Sequence, residues 1–105
     1  MAPNELLPTW SQIPSETDVV ITHGPTKGHG GRTADGFEAG DAVLLSELIN
    51  RVKPCLHVGG HIHEGAGVYP GGDTENGIMF VNASSVDFHY RPVNRPIVVD
   101  IDPSP

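Results

Sequence analysis

Apolar positions along the chain follow two rhythms. "TDVVIT" at 17–22 is a short β-branched run that stops at "HGPTKGHGG", a stretch of Gly and Pro. A buried strand entering a loop has this pattern. Over 38–52 the residues Val43, Leu44, Leu45, Leu48, Ile49 and Val52 recur at helical steps. Glu47 and Arg51 stand four apart on the polar side, where opposite charges support a helix, and Lys53-Pro54 ends it. A helix is therefore expected over 41–51. "CLHVG" (55–59), "GIMFVNAS" (77–84) and "RPIVVDI" (95–101) are further strand candidates, and "NELLPTWSQIP" reads as a helical lead-in that docks Trp10 and Ile13. The predicted order is strand, helix, strand, strand, strand: an α/β unit followed by a β-rich tail, with no repeat and no low-complexity segment.

That order places chemistry. His23 and His61 each lie just beyond the C-terminal end of a predicted strand. In α/β proteins ligands bind in the crevice outside those ends, and a strand–helix–strand connection usually makes the two strands neighbours. With 19–22 beside 56–58, the two loops converge. "GGHIHEG" at 59–65 adds His63, two residues from His61, so three imidazoles are expected at one rim. Imidazole is a common metal ligand, and the glycines let backbone come close to an ion. The other candidates read more simply. His29, in a glycine loop, is placed to touch a substrate but reads first as a solvated surface histidine, and His89 has no strand-end placement. His57, inside a strand, is expected in the core or behind a ligand, with its ring N–H hydrogen-bonded. Cys55 reads as a small core hydrophobe, and Glu64 as an acid that is solvated or behind the ligands rather than a general base.

Composition narrows the class. The chain of 105 residues is 37% hydrophobic and has no long apolar run, so no membrane span is expected. "APNELLPTW" after Met1 lacks the features of a signal peptide, and the single cysteine fits a reducing compartment, so the location expected is cytoplasmic. Asn82-Ala-Ser is accordingly read as a chance glycosylation sequon. Thirteen acids against six Lys and Arg give a formal charge of −7. That argues against sequence-independent binding to nucleic acid or an anionic membrane. It also means that a phosphate-handling site here would draw its positive charge from a metal ion.

"TDVVITHGP", then after a helix "LHVGGHIHEG", then "FVNASS", resembles the C-terminal half of calcineurin-like metallophosphoesterases. Within them it is similar to the metallophosphoesterase-domain proteins, which carry a T-H-G-P loop and a G-H-x-H-E-G loop. The likeness runs from about Trp10 to Asp102. It implies the C-terminal half of a four-layer α/β/β/α sandwich and a metal-dependent hydrolase of phosphoester bonds acting on a small phosphoester, phosphodiesterase-like. By this resemblance His23 and His61 would ligate one ion of a dinuclear centre and His63 the other. Such a centre polarises the phosphoryl group and activates a bridging water. Imidazole and carboxylate ligands suit Mn, Fe, Zn or Ni, so the ligands do not select the metal.

The chain departs from the pattern in its missing motifs. The family's N-terminal half supplies a D-x-H loop, a G-D loop whose aspartate bridges the ions, and a G-N-H-[DE] loop with an asparagine ligand and the usual catalytic histidine. "DFH" at 87–89 has the first spelling but follows the histidine loop, and Gly40-Asp41 and Gly72-Asp73 follow no apolar strand; no G-N-H occurs. "PTKGHGG" also departs from the relatives, which tend to carry a second proline and a later acid. Residues 1–105 thus read as the C-terminal portion of the domain, with no catalytic residue of their own. A fragmentary gene model, a truncated isoform or a decayed paralogue would each produce this. Two expectations follow: a metal-ligand portion of a hydrolase, inactive alone, with a separate N-terminal half as possible partner; or a catalytically dead half-domain that binds metal weakly or binds another protein.

Overall fold

The first β-branched run forms β1 (Val19–Ile21), and the segment entering the histidine loop forms β2 (Leu56–Gly59). In this computed structural model, which describes residues 7–85 and 91–101, the two strands are parallel neighbours, with Val20 opposite His57. β4 (Met79–Asn82) lies parallel on the far side of β2, and β3 (Gly67–Pro70) runs antiparallel along β4. The sheet order is β1-β2-β4-β3. The fold is therefore α/β, with the adjacency of β1 and β2 that brings His23 and His61 to one rim.

The connection between β1 and β2 is helical, as the periodicity requires. Asp41 caps α2 (Ala42–Glu47): its Oδ1 accepts from the amides of Val43 and Leu44, both at 2.9 Å. Such a cap satisfies two of the four amides left orphaned at a helix start. The carboxylate's other oxygen accepts from the Trp10 indole N–H at 2.9 Å, which fastens the helical lead-in α1 (Leu7–Trp10). Beyond Glu47 the helix widens into a π-helical stretch, Leu48–Val52, closed by Lys53 N–H donating to Leu48 O at 2.8 Å. Lys53 then turns left-handed at φ 52°. A residue before proline is driven out of the α region, so Pro54 explains the stop. Leu44, Leu48 and Val52 are buried at steps of four, the spacing that this wide turn stacks on one line.

That line meets Val20, Ile78 and Phe80 to make the core, with Trp10 and Ile13 packed at its margin. Arg51 ties the lead-in down, donating to Ile13 O at 2.6 Å and Trp10 O at 3.0 Å while pairing with Glu47 at 3.2 Å. Among the described residues no helix is long and apolar enough to cross a membrane.

Three expectations need correction. Residues 95–101 form no strand: Val98 is 87% exposed and Ile101 44% exposed. Ile97 and Val99 turn half inward while Val98 and Asp100 face out, the alternation of an extended chain. The segment nonetheless pairs with no sheet edge, and Pro92 and Pro96 lack the amides a ladder needs. The fourth strand is instead β3, whose four residues "GVYP" end in proline and are too short to register as periodic. Cys55 is exposed rather than in the core, one residue before β2, with its thiol donating to Asp18 O at 3.2 Å. His29 is buried at 7% exposure rather than solvated, its ring stacked on Phe80. "DFH" at 87–89 lies outside the described residues.

Candidate metal centre

The two histidine loops are joined before any side chain is considered. Thr22 N–H donates to Val58 O and Gly60 N–H donates to His23 O, both at 2.9 Å, so the parallel pairing of β1 and β2 continues into the loops. The approach is close at Gly59, where an added Cβ would lie 2.6 Å from Gly24 O. Glycine is required there because any side chain would push the loops apart. The result sets the His23 and His61 rings with centroids 4.4 Å apart, tilted by 39°. Both residues are exposed. His61 adopts φ 70°, a left-handed conformation that costs a non-glycine residue energy and that collects at ligand sites.

Two facing imidazoles on one rim fit part of a divalent-ion site, where tetrahedral ions take four ligands at about 2.0–2.1 Å from histidine nitrogen. His63 begins the next turn, a 3-10 helix over His63–Gly65, and is half-buried. Among the described residues no three His, Cys, Asp or Glu side chains gather closely enough to hold an ion. The structure therefore joins His23 to His61 and does not add His63 as a third donor to that pair. Glu64 is exposed, as expected, on a polar cleft that also includes Arg32, Glu38 and Tyr69.

Beneath the rim the polar groups are fully committed. The Thr22 hydroxyl donates to Gly24 O at 2.7 Å and lies 2.8 Å from His57 Nε2. Its proton is already used, so it accepts from His57, and the imidazole is neutral with its hydrogen on Nε2. Burial pushes the His57 pKa down to about 4, with a smaller contribution from nearby His29. His57 therefore stays uncharged at neutral pH and braces the loop that carries His23, in the hydrogen-bonded core role the sequence suggested.

His29 is buried because three partners replace water. Its Nδ1 is 2.9 Å from the Thr26 hydroxyl, its Nε2 is 3.0 Å from a Glu75 carboxylate oxygen, and its ring stacks on Phe80 at 3.7 Å. Glu75 lies 46 residues away, a pairing that local pattern does not reveal. Sequence reasoning also missed Asn82, which is 0% exposed at the end of β4. Its amide donates to Gly30 O at 2.9 Å and Ile62 O at 2.8 Å, and its oxygen accepts from the Ser84 amide at 3.1 Å and hydroxyl at 2.7 Å. One side chain thus ties the glycine loop to the histidine loop. The available signal was a lone polar residue closing an apolar run at the same rim as His23 and His61.

No protein-family model matches the chain. Individual proteins do. The chain is 45% identical over 101 residues to the human metallophosphoesterase domain-containing protein 1, covering 95% of this chain and 29% of that protein. The mouse protein of the same name gives the same figures. A UPF0046 protein of Caenorhabditis elegans is 42% identical over 101 residues, covering 92% of this chain and 34% of its own length. The chain spans about a third of the length of these curated relatives. Across the stretch they share, which includes both histidine loops and the β4 asparagine, the chain belongs to the family of the metallophosphoesterase domain-containing proteins.

Proposed function

We propose that these residues are the imidazole-supplying part of a metal-dependent phosphoester hydrolase. The observation that carries the reading is the 4.4 Å approach of His23 and His61 on the C-terminal rim of two parallel strands. In this reading both offer ring nitrogen to one divalent ion, with Mn, Fe, Zn and Ni all suited to such ligands, and His63 serves a second position. A divalent ion bound there would polarise a phosphoryl oxygen and acidify a bound water. The chain's own contribution is orientation: the Gly60–His23 backbone bond holds the loops together, and His57 through Thr22 keeps the His23 loop from below. The outer edge of β1, where Ile21 is 75% exposed, supports a place for further strands of a four-layer sandwich. A small phosphoester is the substrate this supports, since a chain of net charge −7 has no electrostatic draw for nucleic acid.

A second reading is favoured by one observation, the lack of a three-donor group among the described residues. On that reading the chain binds metal weakly or binds another protein, and performs no chemistry. Both readings expect hydrolysis of bis(4-nitrophenyl) phosphate near background for these 105 residues with excess manganese or nickel. Substantial turnover that His61→Ala abolishes would refute that shared expectation of inactivity and, with it, the second reading. It would also show that another group here replaces the ligands that the family's N-terminal half supplies.

A further inference from the structure

The turn between the glycine loop and α2 is unusually well held for a surface excursion. Thr33 N–H donates to Phe37 O at 2.8 Å, and Gly36 N–H donates to Thr33 O at 2.9 Å. The Phe37 amide donates to the Thr33 hydroxyl at 3.2 Å, and Arg32 donates to Gly36 O at 3.1 Å. At the base Arg32 and Glu38 pair as an antiparallel bridge, and Ala39 N–H reaches Gly31 O at 2.7 Å. The Thr33 hydroxyl also bonds the Asp35 carboxylate. That bond, followed by one from the Phe37 amide, holds the Asp35 carboxyl below its ordinary range.

Both backbone polar groups of Phe37 are thus engaged, yet its ring is 66% exposed. A single exposed aromatic is ordinary on a protein surface. This one is set apart by what lies opposite. Phe37 and His61 line the same cleft of about 500 Å³, together with Gly24, Pro25, Glu38 and Ile62. A cleft of this size takes a small molecule. The backbone that carries the ring is held in place, so no loop ordering falls on binding.

We infer that Phe37 is the platform for a flat, uncharged aromatic group on the alcohol side of a phosphoester held at the His23–His61 rim. The inference rests on the metal-centre reading for the phosphate end and on the cleft for the aromatic end. Glu38 selects against a second anion: its Oε1 is bonded to the Gly40 amide at 2.8 Å, which fixes the carboxylate in the cleft wall. A further phosphate there would meet like charge, so polyphosphates are excluded and esters of neutral aromatic alcohols are favoured.

The test uses the full chain, with phenyl phosphate and methyl phosphate as probes. Both are titrated with and without one equivalent of zinc and followed by amide chemical shifts. The expected result is that phenyl phosphate binds about 5-fold or more tighter than methyl phosphate, the order of one good ring contact. The perturbed amides should be those of Gly24, Phe37 and Gly40. In Phe37→Ala the preference should fall to about one, with methyl phosphate and zinc affinities unchanged, and Phe37→Trp should restore it. A ratio of one in the wild type, no binding of either ester, or a ratio unchanged in Phe37→Ala overturns the inference. Loss of zinc binding in the wild type overturns the metal reading instead, because the ratio is also read without zinc.

Discussion

Replacing Asn82 by alanine should loosen the candidate site and destabilise the fold together, because one buried amide serves both. Asn82 is 0% exposed and makes four hydrogen bonds, to Gly30 O, Ile62 O, and the amide and hydroxyl of Ser84. Each such bond contributes a net ~0.5–1.5 kcal/mol, and a buried group left without a partner costs about 1–3 kcal/mol. Ser84 is buried as well, so its amide and hydroxyl and the Gly30 and Ile62 carbonyls would all lose a shared partner inside. The cost expected is therefore about 2–4 kcal/mol, a large part of the ~5–15 kcal/mol that holds a typical domain together. Urea unfolding followed by the single tryptophan, Trp10, measures it, since that indole is fastened to Asp41 against the core. Amide shifts of Gly30, Ile62 and His61 report whether the two loops separate. Asn82→Asp provides the control of equal shape: it turns two donors into acceptors facing two carbonyls, so it should cost at least as much at neutral pH. If both variants stay within about 0.5 kcal/mol of wild type with those amides unmoved, the amide is not the tie described here.

Gly65→Ala should be more damaging than a surface glycine change, because the new Cβ would fall 1.9 Å from Gly30 O, a backbone atom that cannot step aside. A midpoint in urea equal to wild type would refute the close crossing of the two loops. His57 gives a pH dependence. Its folded-state pKa of about 4 lies below the ordinary 6.5, so protonation favours the unfolded chain. The stability it protects is complete above about pH 6.5 and is lost as pH falls from there toward 4. Between pH 7 and 5 that amounts to about 2 kcal/mol. His57→Leu should flatten the stability–pH curve by that amount over this range, and an unchanged slope would show that His57 is not a buried neutral group.

The parts of this fold written in local pattern were readable in advance, and those made by distant partners were not. Leu44, Leu48 and Val52 announce a buried helix face by spacing alone, and the run Val19–Ile21 announces a buried strand by its composition. Adjacency of β1 and β2 follows from the helix between them, which is why His23 and His61 could be joined on paper. Residues 97–99 carry the same β-branched signal as a strand, but a strand is defined by its partner, and Pro96 precedes them without an amide to offer. His29 looked like a surface residue because Glu75 and Phe80, which bury it, lie far along the chain. Asn82 stood out in the sequence only within a chance sequon and "FVNASS", and its tying role was hidden for the same reason: its two loop partners are 52 and 20 residues away.

The most direct test of the central claim is a zinc titration of the chain by calorimetry, run in parallel on His23→Ala, His61→Ala and His63→Ala. Imidazoles that approach to 4.4 Å at one rim should share an ion. The wild type should then take up about one equivalent weakly, and less tightly as pH falls, because each ligand must be neutral to bind. His23→Ala and His61→Ala should each weaken that event by about 10-fold or more, because losing a ligand costs at least as much as losing the partner behind one, while His63→Ala leaves it nearly unchanged. If His23→Ala and His61→Ala bind zinc as tightly as the wild type, the two histidines do not form a metal site in this chain.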